Sequence, residues 1–168
     1  MLQPPPCGAI RPIDVPILVG ADGPKGQRVA ADLSDGVFSA NVPVLAQAPH
    51  SWRASLMWGT VLDDGEAPDS ARAIAAVQTS VAVAYHVFYE RGGAAAVDAL
   101  PNGRRWREGI EAEPEDIRHL VIHASHQIER NHHDRVVFPD AADIAPAVTA
   151  IGTAEQLRKR LDARAEDG

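Results

Sequence analysis

Cysteine is almost missing from this chain. Cys7 is the only one in 168 residues, which excludes an internal disulfide and any metal site built on thiolates. Aromatic residues make up 5%, and much of the apolar content is alanine, so the composition leans toward packed helices. No charged-then-apolar leader follows Met1, and no run of roughly 18 apolar residues occurs. No membrane span is expected, and a cytoplasmic location is the default expectation. Lysine is scarce too, two against fourteen arginines, and positive charge is outweighed overall, with a formal net charge of -7. An acidic chain repels phosphate backbones, so nucleic acid is not expected as a partner.

The length is one domain's worth and allows a real core. Hydrophobic residues at 45% and charged residues at 23% are ordinary for a globular protein. One basic-aromatic cluster, Arg104-Arg105-Trp106-Arg107, has the look of a nucleic-acid contact, but Glu108, Glu111, Glu113 and Glu115 surround it. A helix whose Trp106 packs inward is the better account.

Residues 1–13 carry too much proline for regular structure and read as a linker. Residues 15–20, Val-Pro-Ile-Leu-Val-Gly, form a short apolar run with β-branched members. Such a run suits a strand buried on both faces of a parallel sheet. Ala21-Asp22-Gly23-Pro24 turns the chain, with Gly23 as N-cap and Pro24 at the first helical position. The helix runs from 25 to 33 with Val29, Ala30 and Leu33 on one face, and 37–39 is a second strand. Residues 55–62 read as a third buried strand, closing a strand-helix-strand-strand core over 14–62.

A helical segment follows over 69–131. Ile74, Val77, Val81, Tyr85 and Phe88 recur at helical spacing between 70 and 91, so they and Tyr89 are expected in the core. Gly92-Gly93 stops this helix. Shorter helices are expected over 94–100, 104–112 and 115–130. A capping box, Thr153-Ala-Glu-Gln156, opens a terminal helix over 153–166. The whole reads as one α/β domain with parallel strands. Such strands leave edges that further elements must cover, and both ends of the chain look cut.

The segment from Val15 to Phe38, with Ala21-Asp22-Gly23-Pro24-Lys25 after the strand and Ser34-Asp35-Gly36 before the next, resembles the luciferase-like monooxygenases. Trp58-Gly-Thr-Val-Leu-Asp-Asp-Gly-Glu66, Val83-Ala-Tyr-His-Val-Phe-Tyr-Glu90 and Arg118-His-Leu-Val-Ile-His123 are similar to one branch of that family. The resemblance implies a partial (β/α)8 barrel, its C-terminal portion, contributing about three of the eight strands of a fold that needs about 250 residues. It implies an oxidoreductase dependent on FMN or on coenzyme F420, acting on a small-molecule substrate. It also implies that the cofactor phosphate lies at Ala21, Asp22, Gly23, Pro24 and Lys25.

The physics of that turn agrees. Glycine lets backbone approach a ligand, and a helix start offers free N–H groups to an anion. Lys25 adds a full positive charge. Past the second strand, Ser39 and Asn41 can donate hydrogen bonds, and Ser39 is assigned to the cofactor. No lysine stands there, as some branches have, so FMN versus F420 stays open. The alternative is a truncated, non-catalytic module that needs a partner for the missing strands, and association as a homo-oligomer or with a partner chain is expected.

The seven histidines invite a metal reading. His119, His123 and His126 lie along one side of a helix, and His132-His133-Asp134 follows it. No glutamate falls between the helical pair as a metalloprotease helix requires, so the histidines are expected to form a solvated, partly packed face, and no metal ligand is assigned. Ser55, Ser70 and Ser80 lack the Gly-x-Ser-x-Gly context of a hydrolase. Asp63, Asp64 and Glu66 are expected to be solvated turn carboxylates. No catalytic residue is assigned.

Overall fold

The structure is a computed structural model that describes residues 15–40, 45–124 and 132–166. Its contacts gather into two compact units, Met1–Leu56 and Met57–Gly168.

In the first unit, β1 (Leu18–Gly20), α1 (Pro24–Leu33), β2 (Gly36–Ser39) and β3 (Trp52–Ser55) follow in order. The three strands are parallel in the spatial order β1-β2-β3. Leu18 pairs with Gly36, and Gly36 with Trp52. A Cβ at residue 36 would stand 2.6 Å from the Trp52 carbonyl oxygen, so glycine is what lets these strands close up. Ala21, Ala30, Val37, Leu45 and Ala48 form the core.

The helix expected over 25–33 forms, but its burial and that of the first strand are slight. Ala30 is buried, but Val29 and Leu33 are exposed, so within this unit α1 seats on the sheet by a single small side chain. The run 15–20 is not buried on both faces either: Leu18 and Val19 are half-buried while Val15 and Ile17 are exposed.

Among its described residues the second unit holds a two-stranded parallel sheet of β4 (Gly59–Val61) and β5 (Ala150–Gly152), with four helices between its strands and one after them. Those helices are α2 (Ala71–Asp98), α3 (Gly103–Glu111), α4 (Glu115–Ala124), α5 (Ala141–Val148) and α6 (Ala154–Glu166). Two 3-10 turns, Asp134–Val136 and Phe138–Asp140, precede α5. α2 is two helices meeting at Gly93, whose φ of 70° and ψ of -167° only glycine adopts readily. The expected stop at Gly92-Gly93 is therefore a sharp break followed by another helical turn.

Val77, Val81, Ala82, Tyr85 and Val97 of α2 bury against Trp106 and Ile110 of α3, with Ile122, Val137, Ala141 and Ala145 completing the core. Trp106 points inward as expected. Phe88, expected beside it, is 40% exposed.

The strand expected over 55–62 is two strands with different partners, since β3 pairs with β2 and β4 with β5. A continuous apolar run carries no mark of where its hydrogen-bonding partner changes. The fold class is mixed α/β with small parallel sheets, and the described residues close no barrel. No helix among them is long and apolar enough to cross a membrane.

Candidate functional site

The turn that joins β1 to α1 places the residues of the expected site together. β1 ends at Gly20, and the helix begins at Pro24 with Gly23 as N-cap. Ala21 donates its N–H to the Phe38 carbonyl at 2.9 Å, which ties the turn to the end of β2. Gln27, one turn into the helix, donates its side-chain amide to the Ala21 carbonyl at 2.7 Å. Gly26 packs closely here, since a Cβ there would stand 3.1 Å from Ala21 Cβ. Neither Gln27 nor Gly26 was singled out from sequence; the signal available was helical spacing from Gly23.

The helix start has no side-chain cap and no acidic residue in its first turn. The N–H groups of Lys25 and Gly26 have no intrahelical acceptor by their position, and Pro24 has no N–H to offer. Beside them opens a cleft of about 300 Å³ lined by Asp22, Gly23, Pro24, Gln27, Gln47 and Pro49. A Cβ at Gly23 would meet nothing within 4 Å, and its φ is -135°. Glycine here leaves open space at the cleft and relieves no backbone strain. Lys25 is exposed.

Ser39 lies at the carboxyl end of the neighbouring strand and is 2% exposed. Its hydroxyl donates to the Asp22 carboxylate in a very short contact. Ser39 thus braces the turn through Asp22, and its proton is not aimed into the cleft. The helix start suits a phosphate in two respects, its two backbone N–H groups and its partial positive charge, while Lys25 is not among the residues that line the cleft. The Asp22 carboxylate opposes a phosphate there. Asn41 lies outside the described residues.

The second unit brings together groups that the sequence had kept apart. Glu113, His132 and His133 place three possible ligand atoms within 4.8 Å of one another. His133 is buried, with Nε2 3.0 Å from Glu113 Oε1. The His132 and His133 rings lie 3.9 Å apart. Next in the chain, Asp134 is 1% exposed and its Oδ1 accepts from Trp106 Nε1 at 2.9 Å and faces His86 Nε2 at 2.9 Å. His86 in turn stacks on Trp106, centroids 5.4 Å apart. The other Asp134 oxygen, Oδ2, is buried with no hydrogen-bond partner among the described residues.

On the expected His119 row, His119 is exposed, and the His123 side chain and His126 lie outside the described residues. Within the basic cluster, one of the expected glutamates, Glu111, does offset charge, joined by Asp98, which was not among the expected partners. Arg107 pairs with Asp98 at 2.7 Å and Glu111 at 2.6 Å. Those carboxylates push the Arg107 guanidinium further up, while Arg107 holds Asp98 below the usual carboxylate range.

Compared with protein-family models, with curated proteins and with solved structures, the chain matches none.

Proposed function

We propose that the β1–α1 turn is the phosphate cradle of a flavin or deazaflavin cofactor, in a chain that supplies part of a luciferase-like (β/α)8 oxidoreductase. The observation that carries this reading is the uncapped start of α1 opening beside a cleft at the carboxyl end of a parallel strand, where barrel enzymes hold phosphate groups. Lys25 and Gly26 offer backbone N–H groups to the phosphate. Gly23 leaves the approach open, and Gln27 and Ser39 hold the turn in shape. FMN, when bound, supplies oxygenation through its reduced form and oxygen, whereas F420 supplies hydride transfer at C5. The substrate is a small molecule.

The test compares FMN with riboflavin, which differ by the phosphate alone, and includes F420, each followed by its fluorescence on titration. FMN or F420 is expected to bind, with riboflavin at least tenfold weaker than FMN if FMN is the cofactor. Gly23→Val adds its side chain to open space at an allowed φ, so the variant folds, and it should weaken cofactor binding by a similar factor. Undiminished affinity in Gly23→Val removes the turn from the site.

A second reading is favoured by the sheet of the first unit. Among the described residues β1 and β3 are its edge strands, and Ile17 and Trp52 beside or on them are 56% and 46% exposed. A non-catalytic module whose strands are completed by a partner chain or a second copy would look like this. A chain that binds none of the three cofactors yet associates through these edges would favour it.

A further inference from the structure

We propose that Glu113, His132 and His133 form a binding site for a divalent zinc-class cation, independent of the β1–α1 turn. Two imidazoles and one carboxylate are a donor set that selects zinc and its neighbours over magnesium or calcium, which prefer all-oxygen sites. Tetrahedral zinc with bonds of about 2.0–2.2 Å sets its ligand atoms roughly 3.4 Å apart. His133 Nε2 and Glu113 Oε1 are already at 3.0 Å, and all three ligand atoms lie within 4.8 Å. A small rotation of the exposed His132 side chain closes the set and leaves a fourth position for water.

The surroundings hold these ligands in place. Arg118 Nη2 donates to the carbonyls of Glu111 at 3.0 Å and Glu113 at 3.2 Å, fixing the backbone that carries the Glu113 carboxylate. Asp134, anchored to His86 and Trp106 in the core, fixes the chain beside His133. At Gly109 a Cβ would stand 2.7 Å from His133 Nδ1, so the absence of a side chain there makes room for the ring. Ligands with packed supports of this kind are what a specific site needs, in contrast to histidines scattered on a surface.

The test uses the full chain stripped with EDTA, desalted, and titrated with Zn2+ in a calorimeter. One equivalent is expected to bind, and Mg2+ in its place to give no heat. His132→Ala removes an exposed ligand without touching the core, and Glu113→Gln keeps shape while removing charge; each should weaken Zn2+ at least tenfold. Gly109→Ala removes no ligand but should displace the His133 ring and weaken binding as well. His119→Ala should change nothing. With Co2+ as probe, the visible absorption of the bound ion should change in His132→Ala and not in His119→Ala. The proposal is overturned if no stoichiometric Zn2+ binds, if His132→Ala and Glu113→Gln leave affinity unchanged, or if only His123→Ala or His126→Ala lowers it.

Discussion

Glu66 precedes α2 with donors on several sides: Arg72 Nε at 2.8 Å, the Asp63 N–H at 2.9 Å and the Ser70 hydroxyl. Ser70 is itself the N-cap, accepting from the Ala73 N–H at 3.1 Å, and Arg72 also reaches the Val61 carbonyl at 2.9 Å. This carboxylate, expected to be a solvated turn residue, instead ties the end of β4 to the start of α2. The Arg72 hydrogen bonds, then those of Ser70 and Asp63, bring its pKa down from 4.5 to about 2. The folded value lies below the unfolded one, so the contribution to stability is complete above about 4.5 and declines as pH falls toward 2. Carbon NMR of the Glu66 carboxyl should give a midpoint near 2, moving up toward the ordinary carboxylate range in Arg72→Gln; an ordinary midpoint in the unaltered chain would show the cluster to be absent. Asp134 makes the opposite kind of case, with its effect set by burial. Asp134→Ala removes the acceptor of the buried Trp106 N–H and the carboxylate that faces His86 Nε2. A buried group that loses its partner costs about 1–3 kcal/mol, so a loss of that size is expected in urea denaturation, with tryptophan fluorescence as the probe. A loss below 1 kcal/mol, roughly what a surface site gives, would mean the network is dispensable.

At the scale of elements, several helix starts and stops were legible because their chemistry is local, while α5, Ala141–Val148, was not read at all. The Thr153–Gln156 capping box forms as read, with Thr153 N–H to Gln156 Oε1 at 2.9 Å and Gln156 N–H to Thr153 Oγ1 at 3.3 Å. Gly23-Pro24 opens α1, and Gly93 breaks α2. The left-handed φ of 70° at Gly93 gives that break a testable strength. Gly93→Ala should destabilise by about 1–3 kcal/mol, read as a lower urea midpoint at unchanged slope, and a neutral result would mean that the two helices fuse without penalty. Strands were legible only where an apolar run coincided with one partner. β5, Ala-Ile-Gly, is too short for any period to register, and its place beside β4 depends on Gly59, where a Cβ would sit 2.0 Å from the Ala150 carbonyl oxygen. The same limit governed the sites. The turn at 21–25 is contiguous, so its strand end and helix start could be read; the gathering of Glu113 with His132 and His133 spans some twenty residues and depends on how α3 packs against Asp134. The tripeptide His132-His133-Asp134 was the only local signal, and it does not name its carboxylate partner.

Across the whole molecule, two opposing properties act on how copies of the chain meet. The formal charge of -7 keeps copies apart. Against it, large apolar side chains stand exposed: Val15, Ile17 and Trp52 in the first unit, and Trp58, Val61 and Leu161 in the second. The last three line a cleft of about 200 Å³ with Met57, Leu157 and Ala150, so they form a patch instead of isolated contacts. Charge repulsion between surfaces is screened over about 8 Å at physiological ionic strength and over about 3 Å at 1 M, while apolar attraction is not weakened by salt. Association should therefore increase with salt, opposite to what an interface built on ion pairs would do. Sedimentation velocity across a concentration series is expected to show a rising average mass, more strongly at 1 M than at 0.1 M salt. Trp58→Glu, which places a charge in the second-unit patch, and Ile17→Lys, which does so beside the β1 edge, separate the two surfaces: whichever variant restores the monomer carries the contact. A chain that stays monomeric at every concentration and salt would mean that neither apolar surface drives association, and with that the reading of open sheet edges completed by other strands loses its support.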